Sequence, residues 1–169
     1  MPVCYNARMQ PAKRLLFVCH GNIIRSPLAE HLFLHLGALA GLDGQYEADS
    51  AGTSSEELGN PPDIRMLRIA AAHGLDYSGR ARRVTPADLD RFDLILAMDR
   101  RNQRDLLALA RTPEPRAKIR MLREFDPQTH GEIDVPDPWY DDQAEFESVY
   151  TIIERSVRGL LGALQRGEV

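Results

Sequence analysis

The stretch V-C-H-G-N-I-I-R-S-P, Val18 to Pro27, decides how this chain is read. It follows a strand-length apolar run, Arg14–Cys19, and leads into a mostly apolar segment, Ser26–Gly41. A strand that turns through Gly21-Asn22 into a helix gathers successive backbone N–H groups on one concave surface, and the helix dipole there also favours an anion. Gly21 permits a strained turn, and Asn22 is the non-glycine residue that best tolerates a left-handed conformation. The backbone of His20, Gly21, Asn22, Ile23 and Ile24 would then face the anion, with the His20 side chain outward, tuning access. Arg25 offers a fork that matches two oxygens of a phosphate. Cys19 sits at the base of the same positive field, and such fields lower thiol pKa values from about 8.5 to about 3.5–7.5. Ser26 is placed to hydrogen-bond the sulfur and to cap the helix, with Pro27 at the first helical position. A bare Cys-x5-Arg would read as a packed cysteine and a surface arginine. With Gly, Asn, Ser and Pro in one string between strand and helix, it reads as a phosphate-binding catalytic loop.

The totals exclude several other classes. The chain has 169 residues, a formal net charge of -4, 27% charged and 43% hydrophobic residues. That suits one globular domain and gives no general pull toward nucleic acid or an anionic membrane. Two cysteines, Cys4 and Cys19, make neither a disulfide framework nor a cysteine-rich metal site, and the five histidines form no H-x-x-H or H-E-x-x-H motif. No apolar run approaches the ~20 residues of a membrane span, and the N-terminus lacks a signal peptide's apolar region, so a cytoplasmic location is expected. Residues 1–13 read as a flexible lead-in to a single domain over 14–169, with Met9 an alternative start.

Further elements alternate in type. Tyr46–Gly52 reads as a second strand, Asp63–His73 as a helix stopped by Gly74, and Asp93–Met98 as a buried strand. Asp99–Ala110 reads as a helix, Ala117–Leu122 as a weaker strand, and Phe125–Asp142 as a proline- and acid-rich loop. Phe146, Val149, Tyr150, Ile153, Val157, Leu160, Leu161 and Leu164 recur at helical steps and mark a last helix. The alternation implies a parallel sheet covered on both faces, with ligands at the carboxyl ends of its strands. Cys19 is at one such end. The acid-rich loop suits the same chemistry, because a carboxylic acid can protonate a leaving oxygen and then activate water. Asp137, stiffened between Pro136 and Pro138, is one candidate; Asp134, Asp141 and Asp142 compete on spacing alone. Trp139 and Tyr140 read as an aromatic wall or as ordinary packing.

V-C-H-G-N-I-I-R-S-P resembles the signature loop of the low-molecular-weight protein tyrosine phosphatases. D-S-A-G-T-S (Asp49–Ser54), A-M-D-R-R-N-Q-R-D-L (Ala97–Leu106), P-D-P-W-Y-D-D (Pro136–Asp142) and F-E-S-V-Y-T-I-I-E-R-S (Phe146–Ser156) extend the resemblance over about 14–164. It implies a three-layer α/β fold with a four-stranded parallel sheet of flavodoxin-like order 2-1-3-4. It also implies phosphotyrosine hydrolysis through a cysteinyl-phosphate, with no metal and no cofactor. Cys19, Arg25 and Asp137 would be catalytic, with Ser50 bonded to Asn22 and Asp99 near the arginine. A strand-end serine and a helix N-cap are the plainer readings of those last two. The partners implied are phosphotyrosine-containing proteins, a tyrosine kinase among the candidates, and inorganic phosphate or other oxyanions in the loop. The expected state is a monomer or weak dimer.

Three departures from the family pattern stand out. Ile24 occupies the place of a second cysteine that can trap the oxidised nucleophile, so no intraloop disulfide is expected and peroxide should inactivate with little recovery. Glu56 and Glu57 stand where an aromatic residue is frequent, which should favour basic phosphopeptides. In Y-S-G-R-A-R-R (Tyr77–Arg83) a histidine that would support the loop is missing, and Arg80–Arg83 reads as a solvated basic turn. Other functions on this fold remain as alternatives. The resemblance associates phosphoarginine hydrolysis with a threonine at Ile23, and arsenate reduction with a relay of three cysteines. A rhodanese-like sulfur carrier or a non-catalytic phosphate-binding module would have no need of the Asp-Pro acid.

Overall fold

Strict alternation along the first strand, β1 (Lys13–Cys19), sends side chains into two separate cores. Leu15, Phe17 and Cys19 enter one, and Leu16 and Val18 the other. A strand buried on both faces belongs at the centre of a covered parallel sheet. The computed structural model, which describes residues 11–169, has that arrangement; Cys4 and Met9 lie outside the described residues. β1 pairs in parallel with β2 (Tyr46–Gly52) on one side and β3 (Leu94–Ala97) on the other. β4 (Ile119–Met121) pairs with β3, which completes the expected order β2-β1-β3-β4.

Helices α1 (Arg25–Leu39), α2 (Ile64–Ala72) and α6 (Gln143–Gln165) cover one face. α3 (Pro86–Arg91) and α4 (Arg100–Leu109) cover the other, and α5 (Pro113–Ala117) leads into β4. The apolar residues almost all round α1 are explained by its neighbours, since it packs on both the sheet and α6.

Three elements go beyond the sequence reading: α3, α5 and a 3-10 turn at Leu122–Phe125. Each is too short for periodicity to register. α3 is instead closed by its ends, with Pro86 in its first turn and a reciprocal capping box between Thr85 and Asp88. The start of α1 is a correction. Helical geometry begins at Arg25, and the cap position is Ile24, which makes no side-chain cap bond. Ser26 is therefore inside the helix, and its hydroxyl is engaged with the loop. Pro27 is tolerated at the third helical position because first-turn N–H groups have no intrahelical acceptor.

α6 is fastened to the 3-10 turn by charge and by shape. Arg155 Nε and Nη2 donate to the two oxygens of the buried Asp126 at 3.0 and 2.9 Å. Burial pushes the Asp126 carboxyl up, but the Arg155 hydrogen bonds and the Gln128 N–H hold it below the usual carboxylate range. Beside this pair, Gly159 lies so close to the Phe125 carbonyl that a Cβ there would overlap its oxygen. Alanine would gain about 1 kcal/mol in helix propensity, whereas overpacking typically costs about 1–3 kcal/mol or more. Overpacking should win here because the obstacle is backbone. Gly159→Ala is expected to lower Tm by about 4–8 °C in thermal circular dichroism; an unchanged or higher Tm would show that the turn is free to move.

Candidate active site

The loop between β1 and α1 is shaped by backbone contacts with the segment that follows β2. The Cys19 carbonyl accepts Thr53 N–H at 2.9 Å, that of His20 accepts Ser54 N–H at 3.0 Å, and that of Ile23 accepts Asp63 N–H at 2.8 Å. With its carbonyls so occupied, the loop turns N–H groups elsewhere. Asn22 N donates to Cys19 Sγ at 3.2 Å. The N–H groups of Gly21, Ile23 and Ile24 donate to no protein acceptor among the described residues. Orphaned amides beside a helix N-terminus are the makings of an anion nest.

The strained position is Asn22, with φ 58°, as its residue type foretold. Gly21 does not share it, since its φ is not positive; what glycine provides there is space, a Cβ falling 3.3 Å from Glu57 Cγ. Gly52, at the end of β2, matters more to the loop. A Cβ there would stand 2.7 Å from the His20 carbonyl oxygen and 3.2 Å from Asn22 Cβ.

Cys19 is a buried free thiol whose Sγ lies 3.1 Å from Ser26 Oγ. Arg25 is only 2% exposed. Its Nη1 donates to Asp99 Oδ2 at 2.7 Å and to the Val135 carbonyl at 2.9 Å, and its Nη2 to Asp137 Oδ2 at 3.3 Å. Burial acts to lower the guanidinium pKa, and electrostatic attraction to Cys19, Asp137 and Asp99, with the Asp99 hydrogen bond, more than reverses this, so Arg25 stays charged. Asp99 performs both of its readings at once, because Oδ1 caps α4 at Asn102 N (2.8 Å) while Oδ2 holds Arg25.

The four candidate acids of the long loop separate by their partners. Asp134 accepts Arg100 N at 2.9 Å, and Asp142 caps α6 through Glu145 N at 3.1 Å. Asp141 donates its N–H to the Pro138 carbonyl and does not line the cavity that Asp137 lines with Cys19 and Arg25. Asp137 is 41% exposed, and its other oxygen accepts Trp139 N at 3.2 Å. The cavity, of about 580 Å³, is walled by Ile23, Trp139 and Tyr140, with Glu56, Glu57 and Arg101 at its mouth. Tyr140 is 95% exposed and meets Trp139 edge-on, with ring centroids 6.4 Å apart. Arg65 Nη1 donates to the Trp139 carbonyl at 3.0 Å and stacks over the Trp139 and Phe146 rings, which ties this wall to α2 and α6. His20 Nε2 lies 3.4 Å from Glu56 Oε2, so the histidine does face the rim. Ile24 is buried in the core behind the loop.

Support for the loop comes from an unexpected quarter. Asn22 Oδ1 accepts the backbone N–H of Arg82 at 2.9 Å, and Asn22 Nδ2 donates to Ser26 Oγ (2.9 Å) and Ser50 Oγ (3.0 Å). The Ser50 contact is the expected one. The reading of Arg80–Arg83 as a solvated basic turn is overturned at Arg82, whose guanidinium is divided between Asp49 and Asp88. Sequence reasoning missed Arg82 because its loop contact is made by the backbone, which no side-chain pattern announces. Gly52 and Arg101 were missed for a related reason: only the folded neighbours give them a place.

The family model for low molecular weight phosphotyrosine protein phosphatase matches residues 14–169. This chain belongs to that family, a family of phosphoric monoester hydrolases. The human low molecular weight phosphotyrosine protein phosphatase is 40% identical over 153 residues, covering 90% of this chain and 96% of the human one. A protein tyrosine phosphatase structure from Entamoeba histolytica superposes with a TM-score of 0.88 at 34% identity, covering 94% of this chain and all of that one. A Drosophila arginine phosphatase structure gives 0.81 at 31% identity, with 89% and 96% covered.

Among the described residues no cluster of His, Cys, Asp or Glu could hold a metal ion, and no helix is long and apolar enough to cross a membrane. The site's chemical capacity is thus to hold a tetrahedral oxyanion between amides and Arg25, against the sulfur. Gly52→Ala, which forces the loop backbone to shift, is expected to weaken orthovanadate binding at least tenfold by calorimetry while leaving far-ultraviolet circular dichroism intact. Unchanged affinity would show that the loop tolerates the displacement.

Proposed function

We propose that the chain hydrolyses phosphotyrosine in proteins through a cysteinyl-phosphate intermediate. The observation that carries this reading is the convergence on one cavity of Cys19 Sγ, the orphaned amides of the loop, the buried Arg25 fork and Asp137. Cys19 sulfur attacks phosphorus in line, and the bond from phosphorus to the phenolic oxygen breaks. Asp137 gives its proton to that oxygen, so tyrosine leaves neutral. Arg25 and the orphaned amides of Gly21, Ile23 and Ile24 hold the three equatorial oxygens as charge builds on them. Water then attacks phosphorus, passes a proton to Asp137, and the sulfur departs with Ser26 as its hydrogen-bond partner. Ser50 and Asp99 act from behind, the first on Asn22 and the second on Arg25. Trp139 and Tyr140 receive the flat ring.

The phosphatase domain in this reading is a single unit over 14–169. Its substrates are phosphotyrosine-containing proteins, tyrosine kinases among them, with inorganic phosphate as product and competitor. A cytoplasmic location and a monomeric or weakly dimeric state accompany it.

The direct test is kinetic. Cys19→Ser is expected to abolish turnover of p-nitrophenyl phosphate, with at least a 10³-fold loss in kcat. Asp137→Ala should lose about 10²–10³-fold on a phosphotyrosine peptide, and less on an aryl phosphate whose leaving group needs no proton. Full activity in Cys19→Ser would sink the mechanism; equal losses on both leaving groups in Asp137→Ala would remove the acid role. A phosphoarginine peptide should turn over at least tenfold more slowly than the phosphotyrosine peptide, and the reverse order would reassign the substrate to phosphoarginine.

The mouth gives a second measurable property. Glu56 and Glu57 present negative charge on one rim. Lysine-flanked phosphotyrosine peptides should exceed glutamate-flanked ones about threefold in kcat/KM at low salt, less at 0.5 M salt where the Debye length is only a few ångströms. Glu56→Gln with Glu57→Gln should level the two. A preference that survives both substitutions would place its origin elsewhere.

A further inference from the structure

The hydrogen bonds behind the loop have a direction that can be read from their donors. Asn22 Oδ1 is taken by the Arg82 N–H, which fixes the amide's orientation. Both Asn22 Nδ2 hydrogens therefore go outward, one to Ser26 Oγ and one to Ser50 Oγ. Each serine, having accepted from Asn22, must place its own hydrogen elsewhere. Ser26 has Cys19 Sγ at 3.1 Å and the Ala51 carbonyl at 3.4 Å. Ser50 has Glu30 Oε2 at 2.6 Å. The chain accordingly starts at Asn22 and ends at two places, the thiol and the Glu30 carboxyl.

Glu30 lies on α1, with a side chain 15% exposed, at the edge of a cavity of about 140 Å³ behind the loop. The charged and titratable groups facing it are Asp49 from β2, Arg82 and Arg80 from the segment before α3, and His31 on its own helix. Arg82 is engaged by Asp49 and Asp88, and His31 Nε2, 3.9 Å from Glu30 Oε1, belongs to an imidazole whose pKa burial lowers. Burial raises the Glu30 carboxyl to about 7, the Ser50 hydrogen bond opposing it, Asp49 reinforcing it and Arg82 opposing it. The Glu30 carboxyl does not line the cavity that holds Cys19, Arg25 and Asp137. Its one short contact is the serine hydroxyl.

We propose that Glu30 is a positioning residue for Cys19: by accepting the Ser50 hydrogen it keeps Ser50 an acceptor for Asn22, and so holds Asn22 in the left-handed turn that aims its N–H at the sulfur. The function needs an acceptor oxygen rather than a charge, because the carbonyl oxygen of a neutral carboxyl or an amide receives the same hydrogen. Without that oxygen the Ser50 hydroxyl turns, competes for its neighbours, and Asn22 loses one of the three bonds that hold its side-chain amide.

The inference rests on Cys19 being the nucleophile, and the experiment separates the two. Glu30→Ala, Glu30→Met, Glu30→Gln, Ser50→Ala and the double variant Glu30→Ala/Ser50→Ala are compared. The readouts are kcat on p-nitrophenyl phosphate and the rate of iodoacetate alkylation of Cys19 at fixed pH. Glu30→Ala and the near-isosteric Glu30→Met should lower kcat about tenfold with little change in KM, and slow alkylation by a similar factor. Glu30→Gln should stay within twofold of wild type in both. The double variant should be no worse than Ser50→Ala alone, since both substitutions act on one bond. The proposal is overturned if folded Glu30→Met matches wild type, if Glu30→Gln is as impaired as Glu30→Met, or if the two losses multiply in the double variant. Alkylation reports on the thiol whatever its role. Slowed alkylation in Glu30→Met together with full activity in Cys19→Ser would therefore leave the positioning intact and sink the nucleophile.

Discussion

A guanidinium carried into the interior sets the terms for everything around it. Arg25 is almost wholly excluded from water, and an unpaired buried charge costs several kcal/mol after relaxation. It persists because Asp99, the Val135 carbonyl and Asp137 receive its hydrogens, and these come from two separate parts of the chain. Asp99 begins α4, just after β3. Val135 is anchored through its own N–H to the Met98 carbonyl at 2.8 Å, and Asp137 follows two residues on. One side chain thereby registers the β1 loop, the end of β3 and the acid-bearing loop against each other. The same bonds hold Asp137 in place relative to the sulfur, the spacing on which the proposed chemistry relies.

Much of this was legible in the residues, and the reasons are physical. β1, β3 and α6 carry long or strongly patterned apolar runs, so burial alone announces them. The Cys19–Pro27 string was readable because its residue types are rarely wanted together for anything but an anion. Asp137 was legible only in part: spacing left it among Asp134, Asp141 and Asp142, and the choice lies in which partner each acid finds in the folded loop. Asp134 is drawn off by Arg100, and Asp142 by the first turn of α6.

What escaped the sequence did so for identifiable causes. α3, α5 and the 3-10 turn are stabilised by their ends, and end effects are spread over two or three ambiguous letters. The serine after the loop arginine looked like a cap because Ser-Pro is a common way to begin a helix; here the helix starts two residues earlier than that, at Arg25, and the hydroxyl is drawn inward to Asn22 and the sulfur. The missing family histidine left the loop's support unexplained from sequence. In the fold, the support is met by a peptide N–H and by a glutamate whose role depends on a serine twenty residues away in sequence.

The Arg82 N–H carries a consequence for genetics. Its bond to Asn22 belongs to the peptide and not to the side chain, so nineteen of the twenty amino acids supply it equally. The arginine side chain serves a different purpose, bridging Asp49 and Asp88 across β2 and α3. A saturation library at this codon would therefore report on the ion pairs and stay silent about the loop, except in its proline column. Comparative sequence surveys share that blindness, because a contact that nearly every residue can make leaves no trace in which residue is found there.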